Sequence, residues 1–525
     1  MGNEIHIVRA PSVEPESKGK TVTEKYADVT LRLIEEYGDS VEPLSPEAEK
    51  RLRRKLYFRL MGLLSTINIM LFVDKSTLGY AAILGLFEET GISQAQYNNL
   101  NTMFYVGYVV FLWPGHYLMQ RLPFGKFMAG VIFSWSVVIF LHCVATRYAG
   151  LVVLRLALGA AEGVVVPALE MSIGMFFDRT EQAFLQPVLW ITCQGAPIVT
   201  GFIAYGLLWS TGPVLPWKLL HAVTGGVTFF LSAWVWFDYP NNPAEARFLS
   251  LQEKVHVIKR VQESQQSSIE QKQFKRSQFI EAIKDPVSWL FGLQAFTLMY
   301  CNNLTYSQKN LLVTSLGVTP LESTLVAVAG GGFGIINCIV AAFALGKYPK
   351  NFALHCTLWC LPAVAGGIGM ATVPWDRTVS LLACMFLAAH TYGVAYIIAL
   401  GWTNSSAAGY TKKLTRNVMF MIGYSAGNLV SHQIWVASAK PRFYGAWASM
   451  IVISWFGTPV ILWVIHFILA RRNKVRKERL DALGEQEGYA YVEQLDESGQ
   501  PVKVKVEVAM LDLTDLENET FIYPL

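Results

Sequence analysis

Charged residues interrupt two long apolar runs, and their types could bind an organic anion and a proton. Asp74 and Lys75 are adjacent in one run, and Arg155 and Glu162 lie about two helical turns apart in the other, LRLALGAAEGVVVP. A guanidinium binds a carboxylate through paired hydrogen bonds, and an ammonium acts as a point charge. We therefore predict that Lys75 and Arg155 bind the substrate and that Glu162 and Asp74 exchange the coupling proton.

A structural role is the alternative for these four residues. Charges inside apolar segments are costly and pair with one another where they can. An ion pair between Asp74 and Arg155 would satisfy both without any transported substrate. Asp74 could also serve only to neutralise a neighbouring base.

A second polar group lies in the run around NNLTYSQK. Asn302 and Asn303 are four and three residues before Tyr306, so in a helix all three share a face. We predict that these three residues bind substrate, with hydrogen bonds between helices as the alternative. Lys309 is also a candidate substrate contact, although near the end of its run it could instead extend to the membrane surface.

Histidines and glycines within other apolar runs favour structural interpretations. For His390 and His432, a hydrogen-bonded packing role is favoured over a proton relay. The glycine run 330–334 predicts close helix packing, because no strand precedes it as a phosphate loop would require.

Length and composition show which elements must position these residues. The chain has 525 residues, 53% of them hydrophobic and 16% charged, whereas soluble domains carry about 25% charged residues. Its apolar runs are long enough to cross a bilayer as helices and too long for barrel strands. We number the predicted helices span 1 to span 12: 57–85, 98–120, 125–146, 150–176, 183–209, 216–238, 287–311, 322–345, 352–374, 379–402, 415–437 and 446–470.

Basic residues set the expected orientation and layout. When twelve spans are threaded, the Lys- and Arg-rich segments fall on one side, which predicts that both termini are cytoplasmic. The fold class is therefore an all-α membrane protein, and six spans on each side of a polar loop are typical of a transporter with two halves. The predicted regions are a cytoplasmic N-terminal segment 1–55, a six-helix half 56–238, a cytoplasmic loop 239–286, a second six-helix half 287–470 and a cytoplasmic tail 471–525.

Two local signatures predict helix starts outside the membrane. Ser45 followed by Pro46 is typical of a helix N-terminus that leads into span 1. Ser250 and Glu253 have capping-box spacing, which predicts a short helix in the central loop. The tail is expected to be partly ordered at most.

Several functional classes are not supported by the sequence. The seven cysteines form no metal-ligand pattern, and no nucleophile or nucleotide-binding motif is present, so we expect no enzyme activity and no cofactor. The net charge of +4 does not favour nucleic acid binding. The polar first fifty residues indicate that span 1 acts as an uncleaved signal anchor.

Several motifs resemble the fungal allantoate permease family, in the anion:cation symporter branch of the major facilitator superfamily. The resemblance runs from about residue 45 to the C-terminus. Its motifs include DKSTLGYAAILGL from Asp74, QYNNLNTMFYVGYVVFLWPGHYLMQRLPFGKF from Gln96, RLALGAAEG from Arg155, WTNSSAAGYTKK from Trp402, GNLVSHQIWVASAKPRFYGAW from Gly427 and DLTDLENETFIYPL from Asp512.

The resemblance implies a major facilitator fold and proton-driven uptake of a small organic anion, such as a ureido acid, a vitamin carboxylate or a small peptide. By the same resemblance, Lys75, Arg155 and Glu162 occupy positions that serve substrate and proton in related anion transporters. The expected setting is the plasma membrane, with a monomer as the functional unit. Export or facilitated movement of a metabolite is the alternative, and a nutrient sensor with a transporter fold is a weaker one.

Overall fold

A computed structural model describes residues 44–265, 275–348, 350–483, 489–495, 501–507, 514–518 and 521–525, together with Leu33, Tyr37 and Val41. Helices occur at all twelve predicted positions. In chain order they are Gly62–Ala81, Gln94–Arg121, Phe124–His142, Tyr148–Glu162 with Val165–Phe176, Arg179–Leu207, Pro216–Asp238, Pro286–Met299 with Lys309–Ser315, Pro320–Lys347, Phe352–Thr372, Thr378–His390 with Tyr392–Ser405, Tyr410–Ser431, and Tyr444–Ser449 with Gly457–Leu483.

The remaining elements are short or lie outside the spans. Four further α-helices are Pro46–Leu56, Leu86–Thr90, Leu251–Gln265 and Arg276–Lys284. Three π-helical segments (Tyr57–Met61, Leu304–Gln308 and Met450–Phe456) and a 3₁₀ turn (Ala437–Ala439) also occur. The tail also forms an antiparallel hairpin of strands Tyr489–Leu495 and Pro501–Glu507, which the sequence analysis did not foresee.

Not all spans are equally apolar. Within the described residues, nine helices have the length and hydropathy of a membrane span, and they correspond to spans 1, 3, 4, 5, 6, 8, 9, 10 and 12. Spans 2, 7 and 11 do not meet this criterion. The first helix of span 7 has only 14 residues, and polar residues lie in the other two, among them Asn98 and Asn101 in span 2 and Lys412, Lys413 and Arg416 in span 11.

The predicted helix starts are confirmed. The Ser45 hydroxyl accepts a hydrogen bond from the Ala48 amide, with Pro46 in the first turn. The Glu253 amide donates to the Ser250 hydroxyl at 3.3 Å, and the Ser250 amide donates to Glu253 Oε2 at 2.8 Å, which is a capping box. Polar residues at these sites satisfy amide groups that a helix start leaves without partners.

Span 7 differs from its prediction as one continuous helix. The first helix ends at Met299, turn residues follow, and a π-helical segment covers Leu304–Gln308 before the helix resumes at Lys309. Irregular backbone at membrane depth is tolerated where it lines a cavity or is buried in protein. Asn302 and Asn303 lie in this break, so the simple helical spacing used to group them with Tyr306 does not apply.

Close helix packing is confirmed at the glycine run of span 8. A Cβ atom added to Gly331 would lie 2.9 Å from the carbonyl oxygen of Gln194 in span 5, and one added to Gly330 would lie 2.5 Å from His390 Nε2 in span 10. The outer faces of the bundle carry exposed apolar side chains such as Phe230, Phe343 and Val379, as contact with lipid requires.

The end of span 12 departs from the predicted tail boundary. Its helix continues beyond residue 470 to Leu483, and the last residues of the chain pack against it. Asn473 donates to the Tyr523 carbonyl at 2.9 Å and accepts from the Tyr523 amide at 2.9 Å, while Trp402 Nε1 donates to the Pro524 carbonyl at 2.8 Å. The C-terminus is therefore docked on the second group of six spans.

An ion-pair cluster lies under this docked segment. Lys412 pairs with Glu281 at 2.7 Å and with Asp515 at 2.8 Å. Asp285 pairs with Arg416 and with Arg472, each at 2.9 Å. We call this set of residues the tail cluster: Glu281, Asp285, Lys412, Arg416, Arg472 and Asp515.

Candidate functional site

A small cavity lies between the two groups of six spans. Its interior volume is about 20 Å³, which is room for about one water molecule. Spans 1, 2, 4, 7 and 11 contribute its walls, together with the residue that follows span 11. The lining residues are Lys75, Asn101, Phe104, Tyr105, Arg155, Asn302, Asn303, Tyr306, Ser307, Asn428 and His432.

Close contact between spans 2 and 4 brings Arg155 to the cavity. A Cβ atom added to Gly159 would lie 1.8 Å from the Phe104 carbonyl oxygen, and one added to Gly107 would lie 2.0 Å from the Leu156 carbonyl oxygen. Only glycine permits this backbone approach. As a result, Arg155 and the aromatic residue Phe104 line the same cavity from two helices.

Two cationic side chains line the cavity without a carboxylate partner. The ammonium of Lys75 lies 4.7 Å from the ring centre of Phe72 and 5.9 Å from that of Tyr108. Arg155 is 3% exposed, and its Nε atom has no hydrogen-bond partner in the part of the chain that the structure describes. Across those residues no ion pair within 4.0 Å involves Lys75 or Arg155. Their charges are therefore available to an anion.

The two predicted proton-exchanging carboxyls are buried behind the cavity wall rather than in it. Asp74 and Glu162 are 2% and 0% exposed, and their carboxyl oxygens have no hydrogen-bond partner among the described residues. Lys75, Asp74 and Arg155 all lie close enough to act on Glu162 electrostatically. The four charges are thus brought together, but the direct Asp74–Arg155 ion pair of the structural alternative is not formed.

Asp74 faces the interior of the first six spans. Trp135 of span 3 and Thr224 and Thr228 of span 6 lie beside its carboxyl group. Its adjacent residue Lys75 instead lines the cavity. Neighbouring positions on one helix point in different directions, so Asp74 faces the interior of the first six spans while Lys75 faces the cavity.

The break in span 7 supplies polar groups on the opposite wall. Asn302 Nδ2 donates to Asn428 Oδ1 at 2.7 Å, and Ser307 donates to Asn101 Oδ1 at 2.8 Å. The amide of Asn303 is 3% exposed, and neither its nitrogen nor its oxygen has a hydrogen-bond partner within the described ranges. Asn302, Asn303 and Tyr306 therefore do lie together at the cavity, although not on a regular helical face.

Lys309 does not have the position expected for it. It is 3% exposed, so it does not extend to the membrane surface, and it is absent from the cavity wall. Its ammonium lies near the buried imidazole of His390 in span 10. The structure therefore does not place Lys309 with the other predicted substrate-binding residues.

One end of the cavity is closed by hydrogen bonds between the two groups of spans. Tyr97 donates to the Ser307 carbonyl at 3.1 Å, and Gln308 donates to Asn98 Oδ1 at 3.0 Å. Asn98 in turn donates to the Trp435 carbonyl at 3.0 Å. The beginning of span 2 is thus fastened to span 7 and to the segment after span 11.

Sequence reasoning missed part of the cavity wall. Asn101, Phe104 and Tyr105 of span 2, Ser307 and Asn428 were not singled out, and His432 was favoured as a packing residue. His432 Nδ1 lies 2.8 Å from the Asn428 carbonyl, and its ring lies 5.6 Å from that of Tyr105. The low hydropathy of spans 2, 7 and 11 is the sequence feature that could have indicated these cavity-lining residues.

A helical bundle of this size, with charged residues lining a central cavity, is typical of multi-pass membrane transporters. The family model described as Major Facilitator Superfamily matches residues 64–432. The chain therefore belongs to the major facilitator superfamily, and it is a transporter rather than an enzyme.

Relatives in yeasts share this class. The chain is 50% identical over 512 residues to an uncharacterized transporter of Schizosaccharomyces pombe, covering 97% of this chain and 89% of that protein. It is 46% identical over 513 residues to the high affinity cysteine transporter of Saccharomyces cerevisiae, covering 96% of each. The allantoate permease of Saccharomyces cerevisiae is 28% identical over 530 residues, covering 98% of this chain and 93% of that protein.

Solved structures show the same fold. A bacterial homolog of the human lysosomal transporter Spinster, in an inward-facing and unoccupied conformation, has a TM-score of 0.56 at 14% identity and covers 78% of this chain and 95% of its own. The D-xylose-proton symporter has a TM-score of 0.57 at 12% identity, covering 77% of this chain and 97% of its own. The predicted fold class and family resemblance are confirmed.

Proposed function

We propose that this transporter imports a small substrate that bears a carboxylate, with cysteine as the first candidate, together with protons. The observation that carries the proposal is the pair of cations, Lys75 and Arg155, that line the cavity without a carboxylate partner among the described residues. Similarity to the cysteine transporter over nearly the whole of both chains supports cysteine over a larger carboxylate.

The geometry supports an orientation for the bound substrate. The substrate carboxylate pairs with Arg155 and Lys75 on the wall from the first six spans. An α-ammonium group then faces the amide oxygens of Asn302 and Asn303 on the opposite wall. Because the substrate joins both walls, its binding draws the two groups of spans together.

Proton coupling follows from the burial of Glu162 and its nearness to Arg155. A nearby cation favours an ionised carboxyl group, and burial opposes it. When the substrate carboxylate neutralises Arg155, the support for ionised Glu162 is removed and proton binding there becomes more favourable. Asp74, in the same electrostatic group, is the second proton-exchanging residue of the proposal.

Transport requires the cavity to widen, since about one water molecule fills it. We place the hydrogen-bonded closure between span 2 and span 7 on the outer side of the plasma membrane, with both termini in the cytoplasm, because the basic segments then face inward. The two six-helix halves, 56–238 and 287–470, move relative to each other about this site, and one chain is the functional unit.

Uptake into proteoliposomes tests the proposal. The purified full-length chain, with radiolabelled L-cysteine kept reduced by dithiothreitol, should accumulate substrate when the interior is alkaline. Glu162→Gln should abolish gradient-driven accumulation but keep exchange of internal for external cysteine. Glu88→Gln, at an exposed position, is the matched control. Gradient-independent uptake by the unaltered protein would refute proton coupling.

Competition tests recognition of the carboxylate. L-Cysteine should displace bound label, whereas cysteamine, which lacks the carboxylate, should not. Allantoate and nicotinate added in parallel distinguish a cysteine transporter from one for larger carboxylates. Equal competition by cysteamine and cysteine would show that Lys75 and Arg155 do not hold a carboxylate.

A further inference from the structure

Two histidines that the sequence analysis did not single out stack on each other inside the first six spans. The rings of His142 in span 3 and His221 in span 6 have centres 5.2 Å apart and planes inclined by 10°. The residues are 1% and 3% exposed. We call them the histidine pair, and neither lines the substrate cavity.

Hydrogen bonds define which nitrogen of each ring carries a proton. His142 Nδ1 lies 2.8 Å from the Val138 carbonyl oxygen, and His221 Nδ1 lies 2.8 Å from the Trp217 carbonyl oxygen. A carbonyl oxygen only accepts, so each Nδ1 is the protonated nitrogen of the neutral ring. The Nε2 atom of each ring therefore keeps a free lone pair, and neither Nε2 has a hydrogen-bond partner in the described parts of the chain.

The histidine pair lies between a partly exposed polar group and the charged core. Trp217, whose ring centre is 5.7 Å from that of His221, donates to Glu89 Oε2 at 2.8 Å. Glu89 also pairs with Lys218, and both side chains are about one-fifth exposed. On the other side, Arg155 acts electrostatically on both imidazoles. The pair thus lies between the start of span 6 and the proposed carboxylate site.

We propose that the histidine pair is a proton-binding site whose occupancy is linked to the substrate carboxylate at Arg155. One proton binds to one Nε2 lone pair and gives an imidazolium with both nitrogens protonated. The two rings are too close to carry two charges together, so the pair binds one proton. This inference rests on the proposed function, because it takes its substrate and its proton gradient from there.

Arg155 provides the link between substrate and proton. With the cavity empty, its guanidinium repels a second positive charge on the pair. A carboxylate that pairs with Arg155 cancels most of that repulsion, and a proton then binds more readily. Linkage is reciprocal, so protonation of the pair also strengthens carboxylate binding. Among the described residues, titratable or charged groups on the neighbouring elements include Asp74 of span 1, which lies beside Thr224 of span 6, and Tyr97 of span 2, which acts on Arg155. Cys143 follows span 3, and Glu89 pairs with Lys218 near the start of span 6.

Calorimetry of L-cysteine binding tests the inference on the detergent-purified full-length chain. Titration in two buffers of different ionisation enthalpy gives the number of protons taken up per cysteine bound. The unaltered protein should take up protons between pH 5.5 and 7.5. The double variant His142→Asn/His221→Asn should take up fewer, by as much as about one proton, and should still bind cysteine.

Controls separate this site from the Glu162 site and from loss of folding. Glu162→Gln should retain the proton uptake that is due to the histidine pair. The triple variant His142→Asn/His221→Asn/Glu162→Gln should lose the uptake due to the histidine pair and the uptake due to Glu162. His116→Gln is the matched control, since His116 Nδ1 also bonds the carbonyl four residues earlier but no stacked histidine faces it among the described residues. If that double variant elutes as aggregate, the double variant His142→Gln/His221→Gln provides the same measurement.

The outcomes distinguish this inference from the proposed function. Proton uptake in the double variant equal to that of the unaltered protein would overturn the histidine site while leaving Glu162 coupling intact. No cysteine binding by the unaltered protein would instead refute the proposed function. A cysteine affinity that rises at least several-fold from pH 7.5 to 5.5 in the unaltered protein, and much less in the double variant, supports the linkage.

Discussion

Buried charges in the first six spans lack the close partners that buried charges in the tail cluster have. Asp74, Arg155 and Glu162 are each at most 3% exposed, and no ion pair within 4.0 Å joins them in the described ranges. In the tail cluster, Lys412 and Asp285 are equally buried, and each contacts two or more oppositely charged groups.

The difference separates function from stability. A buried ion pair in good geometry offsets the cost of removing its charges from water, so the paired charges can have a purely structural role. Buried charges without partners destabilise the resting protein. Proteins retain such charges at functional sites, where a bound ligand or proton supplies the missing partner. The following experiments compare the two regions, from the largest expected effect to the smallest.

Removal of the central carboxylate of the tail cluster should have the largest effect on stability. Asp285→Asn leaves Arg416 buried without its charged partner, which costs about 3–5 kcal/mol. We expect a lower yield of monodisperse protein and a lower unfolding temperature in detergent. Asp376→Asn, at an exposed position, should change neither. An unaltered unfolding temperature in Asp285→Asn would contradict a structural role for the cluster.

Arg155→Gln should have the opposite pattern. It removes a cation that we expect to contact the substrate carboxylate, at a cost of about 2–5 kcal/mol, or roughly 30-fold or more in cysteine affinity. Because no buried partner is left without its ion pair, the unfolding temperature should not fall. Arg147→Gln, an exposed position before the same helix, is the matched control. Binding that survives in Arg155→Gln would remove the distinction between the regions.

Tyr523→Phe tests how firmly the tail is held. The Tyr523 hydroxyl donates to Asp515 Oδ2 at 2.7 Å, and Asp515 in turn pairs with Lys412. Loss of one hydrogen bond to a charged group should cost about 2 kcal/mol. We expect a moderate fall in unfolding temperature with unchanged cysteine affinity. A change in affinity without a change in stability would show that the tail acts on the substrate site.

Acid should weaken the tail cluster once the pH falls below about 4. Burial alone would raise the pKa of Asp285, but the hydrogen bond from Arg472 and the charges of Arg416 and Lys412 hold it below its ordinary value. A lowered pKa contributes stability that is complete above the unfolded value of about 3.9 and is lost as pH falls through the folded value. Unfolding temperatures measured from pH 6 to pH 3 should therefore fall less in Asp285→Asn than in the unaltered protein.

Much of the architecture was predictable from local sequence. Apolar runs predicted the positions of all twelve spans, because a backbone in lipid must satisfy its hydrogen bonds within a helix. Ser45 and Ser250 marked helix starts correctly, since capping depends on residues only a few positions away. The types of Lys75, Arg155 and Glu162 indicated an anion and a proton, and the structure brings all three together.

Other features depended on contacts between distant parts of the chain. The sequence analysis used the Lys- and Arg-rich segments only to orient the membrane spans. Lys412 and Arg416 lie in one of these segments, yet both are fully buried, and Arg416 bonds Asp285, which is 131 residues away. The break in span 7 and the stacking of His142 on His221 likewise involve residues that no local pattern relates.

The sequence by itself therefore determined the class of this protein, a twelve-span transporter with ionisable residues in its core. Hydropathy and residue type are local properties, and they are sufficient for that conclusion. Only the tertiary structure decided which of those charges are paired, which line the cavity and which lie behind its wall. Helix packing sets these distances, and electrostatic interaction between buried groups depends on distance and on exclusion of water.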